Sequence, residues 1–180
     1  VEETMQALID IVKQGKALYV GISKYPPAQA KIAYEMLRAA GVPCLISQYR
    51  YSMFDRTVEE KSLPLAAEQG SGFIAFSPLA QGLLTKKYLH GIPEHSRAAR
   101  STGFLKVDQV TEDKVGKARR LDEIAARRGQ TLAEMALAWV LKDERMTSVI
   151  VGTSSVKQLA DNLHALDNLN FTNEELAEIE

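Results

Sequence analysis

Four short stretches carry the residue types that hold ligands. They are Gly21-Ile22-Ser23-Lys24, Gln48-Tyr49-Arg50-Tyr51, Phe76-Ser77-Pro78-Leu79 and Gly152-Thr153-Ser154-Ser155. Each follows an apolar run. Hydroxyls, an amide, aromatic faces and glycines orient a ligand by hydrogen bonding and stacking. None of the four offers a carboxylate pair, a metal-ligand spacing or a Ser-His-Asp set, so the chemistry they suggest is binding. In the last stretch, Gly152 permits close backbone approach and Ser154 and Ser155 supply hydroxyls. The helix that follows aims its first N–H groups at the same place, an arrangement suited to phosphate. A plain capped helix fits those residues equally well.

The segment IAFSPLAQGLLTKKY, residues 74–88, poses the question most sharply. It begins as a buried strand and is then stopped by Ser77 and Pro78, because proline has no N–H to give to a ladder. A hydroxyl, a proline and, at Gly82, a glycine are thereby exposed together at a strand end.

Helices and strands must position these ends. Met5, Leu8, Ile9 and Val12 recur at helical spacing, which predicts a helix over 2–14 with Gly15 as its stop. Ile32, Ala33, Met36 and Leu37 give a second helix, opened by Pro26 and ended by Gly41. A short helix follows Pro64. Thr111 opens a longer one, and Thr131 with Glu134 forms a capping box for the next. Ser155 and Gln158 read as a further capping box for a helix reaching Leu166. Between them lie four apolar runs, expected as parallel strands near Ala17–Ile22, Cys44–Gln48, Gly72–Phe76 and Ser148–Val151, the first of them buried on both faces. Alternation of this kind means an α/β fold with a parallel sheet and right-handed crossovers. In such folds sites form beyond the C-terminal ends of the strands, where all four polar stretches stand.

The stretch from Tyr88 to about Gln109 has no clear period, and loops of that length are usually functional or disordered. No repeat or linker divides the 180 residues, so a single domain over 1–180 is expected. A formal net charge of −1 gives no field to steer nucleic acid or anionic lipid. No apolar run approaches the roughly 20 residues a membrane span needs. Neither nucleic acid nor a membrane is therefore an expected partner. Cys44, the single cysteine, reads as a packing residue, which fits a reducing compartment. His90, His95 and His164 read as surface residues, and no metal site is expected.

Taken together, GKALYVGISKY, QYRYSMFDR, FSPLAQGLLTKKY and VGTSSVKQLADNL resemble the aldo-keto reductases, in order and over the whole chain. The likeness is strongest to the branch holding the bacterial L-glyceraldehyde-3-phosphate reductases and the potassium-channel β-subunits. It implies a (β/α)8 TIM barrel, of which this chain would be the C-terminal half, strands 5–8. A complete barrel runs to about 250 residues. The opening VEETMQALIDIV reads as mid-domain helix and TNEELAEIE as a helix barely begun, which agrees. A half barrel leaves open edges, which the missing half or another chain is expected to cover, and a homo-oligomer is compatible with that.

The resemblance further implies NADP(H) as cofactor and a small carbonyl compound as substrate, reduced to an alcohol in the cytoplasm. Phe76 matches the ring that stacks on the nicotinamide. Ser23, Lys24 and Gln48 match the carboxamide side. Ser77, Leu79, Gln81 and Gly82 match the pyrophosphate path, with Lys87 near phosphate, and Pro78 belongs to the same cofactor-binding set. Gly152, Ser154, Gln158, Asp161 and Asn162 match the grip on the adenosine 2′-phosphate and adenine. Many family members carry Lys at the Gly152 position and Arg at the Gln158 position, and both charges are absent here. No motif matches the family's catalytic Asp, Tyr, Lys and His (or Asn). No catalytic residue is assigned, and the chain alone is expected to be inactive. The other readings of the same motifs are a channel-β-subunit-like protein that binds NADPH as a regulatory ligand, and an inactive fragment.

Overall fold

The four apolar runs become four parallel strands in one sheet of order β1-β2-β3-β4. The computed structural model describes residues 1–99 and 104–180. In chain order the elements are α1 (Glu2–Lys13), β1 (Val20–Ser23), α2 (Pro27–Ala39), β2 (Cys44–Arg50), α3 (Ser62–Glu68), β3 (Gly72–Phe76), α4 (Glu112–Arg127), α5 (Leu132–Leu141), β4 (Met146–Ile150), α6 (Val156–Leu163) and α7 (Asn173–Ile179). Short 3₁₀ turns punctuate the loops. The chain divides into two compact units. The first holds Val1–Tyr51, Arg56–Phe76 and Glu144–Ile150. The second holds Ser52–Asp55, Ser77–Asp143 and Val151–Glu180.

The first unit contains the whole sheet. β1 and β3 bury every second residue, β2 does so from Ser47 on, and β4 buries only Met146. Val20, Ile22, Ser47, Tyr49, Phe73 and Ala75 are buried, while Gly21, Ser23, Arg50 and Ile150 are exposed and Gln48, Ile74 and Phe76 half-buried. The expectation that β1 is buried on both faces is therefore corrected: one face packs on the helices and the other is open. β1 also begins three residues late, at Val20, because Leu18 and Tyr19 project into solvent. A bulge at Val20/Gly21 brings the chain so close to β2 that a Cβ on Gly21 would stand 2.7 Å from the Ile46 carbonyl oxygen, so only glycine fits.

The packed face contains a buried hydrogen-bonded chain. Tyr34 of α2 meets the Ser47 hydroxyl at 2.6 Å, and Ser47 meets Ser71 at 3.0 Å. The α2 stripe is accordingly Ala30, Ala33, Tyr34 and Leu37, with Ile32 at the surface in place of the expected apolar contact. Tyr49 stacks on Phe73 with ring centroids 5.1 Å apart and donates its hydroxyl to the Tyr25 carbonyl at 2.7 Å.

In the second unit, α4 and α5 pack Ala118, Leu121, Ile124 and Ala125 against Leu132, Met135 and Ala136, with Leu84 and Leu89 completing the core. The capping box at Thr131–Glu134 forms in both directions. So does one at Thr172–Glu175, which opens α7. A smaller cluster of Leu83, Tyr88, Ala98 and Leu105 gives the long loop a core of its own. No helix of the described residues is long and apolar enough to cross a membrane.

Candidate functional site

On the first unit the open face carries the predicted residues at its C-terminal end. Ser23 closes β1 and lies in register beside Gln48 of β2. Phe76 closes β3 beside Arg50. Lys24 follows with φ +60, a left-handed conformation uncommon for a side-chain-bearing residue, and its N–H donates to the Gln48 carbonyl at 3.1 Å. The Tyr49 hydroxyl fixes the next carbonyl along, Tyr25. Burial pushes the Tyr49 phenol up to about 12, with Tyr34 and Cys44 adding to the shift, so the hydroxyl stays a donor.

On the second unit the turn after β3 is wound through left-handed space. Ser77, Ala80 and Gln81 have φ +54, +47 and +61, and Gly82 has φ +102. A Cβ on Gly82 would also press the Tyr88 ring at 3.3 Å. Four positive-φ residues other than glycine occur among the described residues, and all lie just beyond β1 or β3. Such strain persists where surrounding contacts enforce it, and it clusters at ligand clamps. Within the described residues, the N–H groups of Ser77, Leu79 and Gln81 donate to no protein acceptor, which leaves three backbone donors in one turn for an anion. Lys87 is exposed, its N–H capped by the Thr85 hydroxyl.

The segment after β4 is organised differently from expectation. The Ser155 hydroxyl caps α6 through the Gln158 N–H, but the Gln158 side chain does not return to Ser155. Its Oε1 instead accepts from both the N–H and the hydroxyl of Ser154, at 2.9 and 3.2 Å. No reciprocal capping box forms, because Gln158 reaches one residue further to fold Ser154 over the helix start. Lys157 pairs with Asp161 at 2.9 Å, both partly in solvent. Asn162 is only 8% exposed, and its Nδ2 is buried without a hydrogen-bond partner. A buried amide nitrogen left unpaired costs about 1–3 kcal/mol, so a ligand acceptor there recovers what the fold gives up.

One residue escaped the sequence reading. Arg97, from the long loop, places Nη2 3.7 Å from where a Cβ on Gly152 would stand. A guanidinium thus supplies a positive charge beside the glycine where many family members have lysine. No period or motif in that loop pointed to it. Among the described residues no cluster of His, Cys, Asp and Glu could hold a metal ion. The three histidines are exposed.

The aldo/keto reductase family model matches residues 1–180, the entire chain. The chain belongs to that family. Two similar proteins are the L-glyceraldehyde 3-phosphate reductases of Escherichia coli O157:H7 and of strain K12, 48% and 46% identical over 99% of this chain. The chain spans 53% of their length, about half. The family fold is a (β/α)8 barrel, and the four parallel strands with their flanking helices are part of one.

Proposed function

We propose that this chain is the cofactor-holding, C-terminal half of an NADPH-dependent reductase of small aldehydes and ketones. The observation that carries the reading is the coincidence of strain and site. The left-handed residues Lys24, Ser77 and Gln81 are positions that the family resemblance independently assigns to cofactor contact. The name of the two relatives, together with their identity to this chain, supports a phosphorylated three-carbon aldehyde as substrate.

The residues present fit the dinucleotide. On the first unit, Ser23, Lys24 and Gln48 would hold the carboxamide and Phe76 the ring. On the second, the free N–H groups of Ser77, Leu79 and Gln81, with Lys87, would hold pyrophosphate. Ser154, presented by Gln158, would hold the 2′-phosphate together with Arg97, and Asn162 Nδ2 would reach the adenine. Bound there, reduced nicotinamide supplies a hydride for a carbonyl carbon. The chain's own part is binding and orientation: Phe76 exposes one ring face, and the turns beyond β1 and β3 are already wound before the ligand arrives, which lowers the ordering cost of binding.

Arg97 answers the missing lysine and arginine of the family pattern, since a guanidinium fork suits a phosphate dianion. The test compares NADPH with NADH by equilibrium titration. Arg97→Ala and Gln158→Glu are each expected to weaken NADPH relative to NADH by about tenfold, roughly 1.4 kcal/mol. Equal loss for both cofactors would remove these residues from the 2′-phosphate. Saturable NADPH binding by a full-length protein that turns over no aldehyde would favour a regulatory, ligand-sensing role instead.

A further inference from the structure

Arg50 stands in the midst of the residues that would hold the nicotinamide end of the cofactor and is not itself one of them. Side chains alternate along a strand, so Gln48 and Arg50 share a face. Register pairs Gln48 with Ser23 and Arg50 with Phe76. Arg50 therefore projects from the open face, at the C-terminal end, beside the ring that would back the nicotinamide. It is exposed, and its guanidinium carbon lies 5.9 Å from the Phe76 ring centroid. Among the described residues it pairs with no carboxylate. An exposed cation–π contact is worth only about 0.5–1 kcal/mol, too little to hold the fork against a better partner. The cofactor's phosphates already have their own donors on the second unit, at the Ser77–Gly82 turn and at Arg97. The spare cation thus sits where hydride would be delivered, and its geometry matches a two-oxygen anion.

We propose that Arg50 binds an oxyanion of the carbonyl substrate, a phosphate ester or a carboxylate, and so determines selection for anionic aldehydes over neutral ones. This rests on the cofactor reading above. Arg50 touches substrate in this assignment and transfers no proton.

The test is an equilibrium titration of the 180-residue chain saturated with NADP⁺. The probes are glyceraldehyde 3-phosphate, succinic semialdehyde and glyceraldehyde, with the wild type, Arg50→Gln and Arg50→Lys. The wild type is expected to bind one or both anionic aldehydes more tightly than glyceraldehyde, and which of the two gains more identifies the anion. Arg50→Gln removes that preference by about ten- to a hundredfold relative to glyceraldehyde, and Arg50→Lys restores part of it. NADP⁺ affinity is the internal control. If NADP⁺ binds but the three aldehydes bind alike, or none binds, the Arg50 assignment alone is overturned. If Arg50→Gln weakens NADP⁺ as much as the aldehydes, the anion belongs to the cofactor and the assignment again fails. If the wild type binds no NADP⁺, the cofactor reading itself is lost, and this one with it. Arg50 is exposed, so an unchanged melting curve certifies that the variant folds.

Discussion

Phe76 is where a single side chain carries the most. It ends β3, is half-buried, and shares its face with Ser23 and Gln48. Replacing it with alanine in a full-length enzyme is expected to weaken nicotinamide positioning by about 1 kcal/mol beyond the lost contact area. A fluorescence titration would find NADPH affinity reduced while adenosine 2′,5′-bisphosphate binds as before. Unchanged NADPH affinity and turnover would take the ring out of the site. Tyr49 makes a prediction on pH. Its folded phenol is raised from 10.0 to about 12, chiefly by burial. The folded state therefore holds this proton more tightly than the unfolded chain does. The associated stability is complete below about pH 10 and is lost as pH rises from about 10 to 12. Tyr34 is raised in the same direction, also mainly by burial, so Tyr49→Phe should remove only part of the alkaline loss. Denaturant curves collected across that interval would check it. A wild-type stability that stays flat to pH 12 would contradict the burial argument.

Elements were legible in the sequence wherever spacing and capping agreed. Thr131 and Glu134 marked the start of α5, and the run GFIAF fixed β3 to the residue. The start of β1 was not legible, because Leu18 and Tyr19 are as apolar as a strand requires and yet project into solvent. Which face of each strand is covered was equally hidden, since a parallel strand reads apolar throughout whether or not both faces are packed. Arg97 was missed for a related reason: it reaches Gly152 through the fold of a loop that has no period to read. The docking of α7 also had no local signal. Arg128, its side chain 2% exposed, bonds Glu175 at 2.5 Å and the Asn170 carbonyl at 2.9 Å, and lies 3.8 Å over the Phe171 ring. Neighbouring Arg127 pairs with Glu178 in solvent. The two arginines separate by burial. Arg128→Ala leaves a carboxylate and carbonyls unpaired and is expected to cost about 3 kcal/mol. Arg127→Ala is expected to cost less than about 1 kcal/mol. Chemical denaturation would compare them, and equal losses would deny the buried anchor.

At the scale of the molecule, each of the two compact units carries cofactor-contact candidates of its own. One presents Ser23, Gln48, Arg50 and Phe76 from strand ends, and the other presents wound backbone and the Ser154–Asn162 segment. Family membership and the barrel fold follow from the match over 1–180, and binding of the dinucleotide is the claim on which every site assignment depends. It is tested most directly by titrating the purified 180-residue chain with NADPH, following nicotinamide fluorescence, and then adding adenosine 2′,5′-bisphosphate. Saturable one-to-one binding that the bisphosphate displaces is the expected result, because in the proposed site Ser154 and Arg97 of the second unit would hold the 2′-phosphate. Absence of saturable binding, or binding that the bisphosphate leaves untouched, would contradict it.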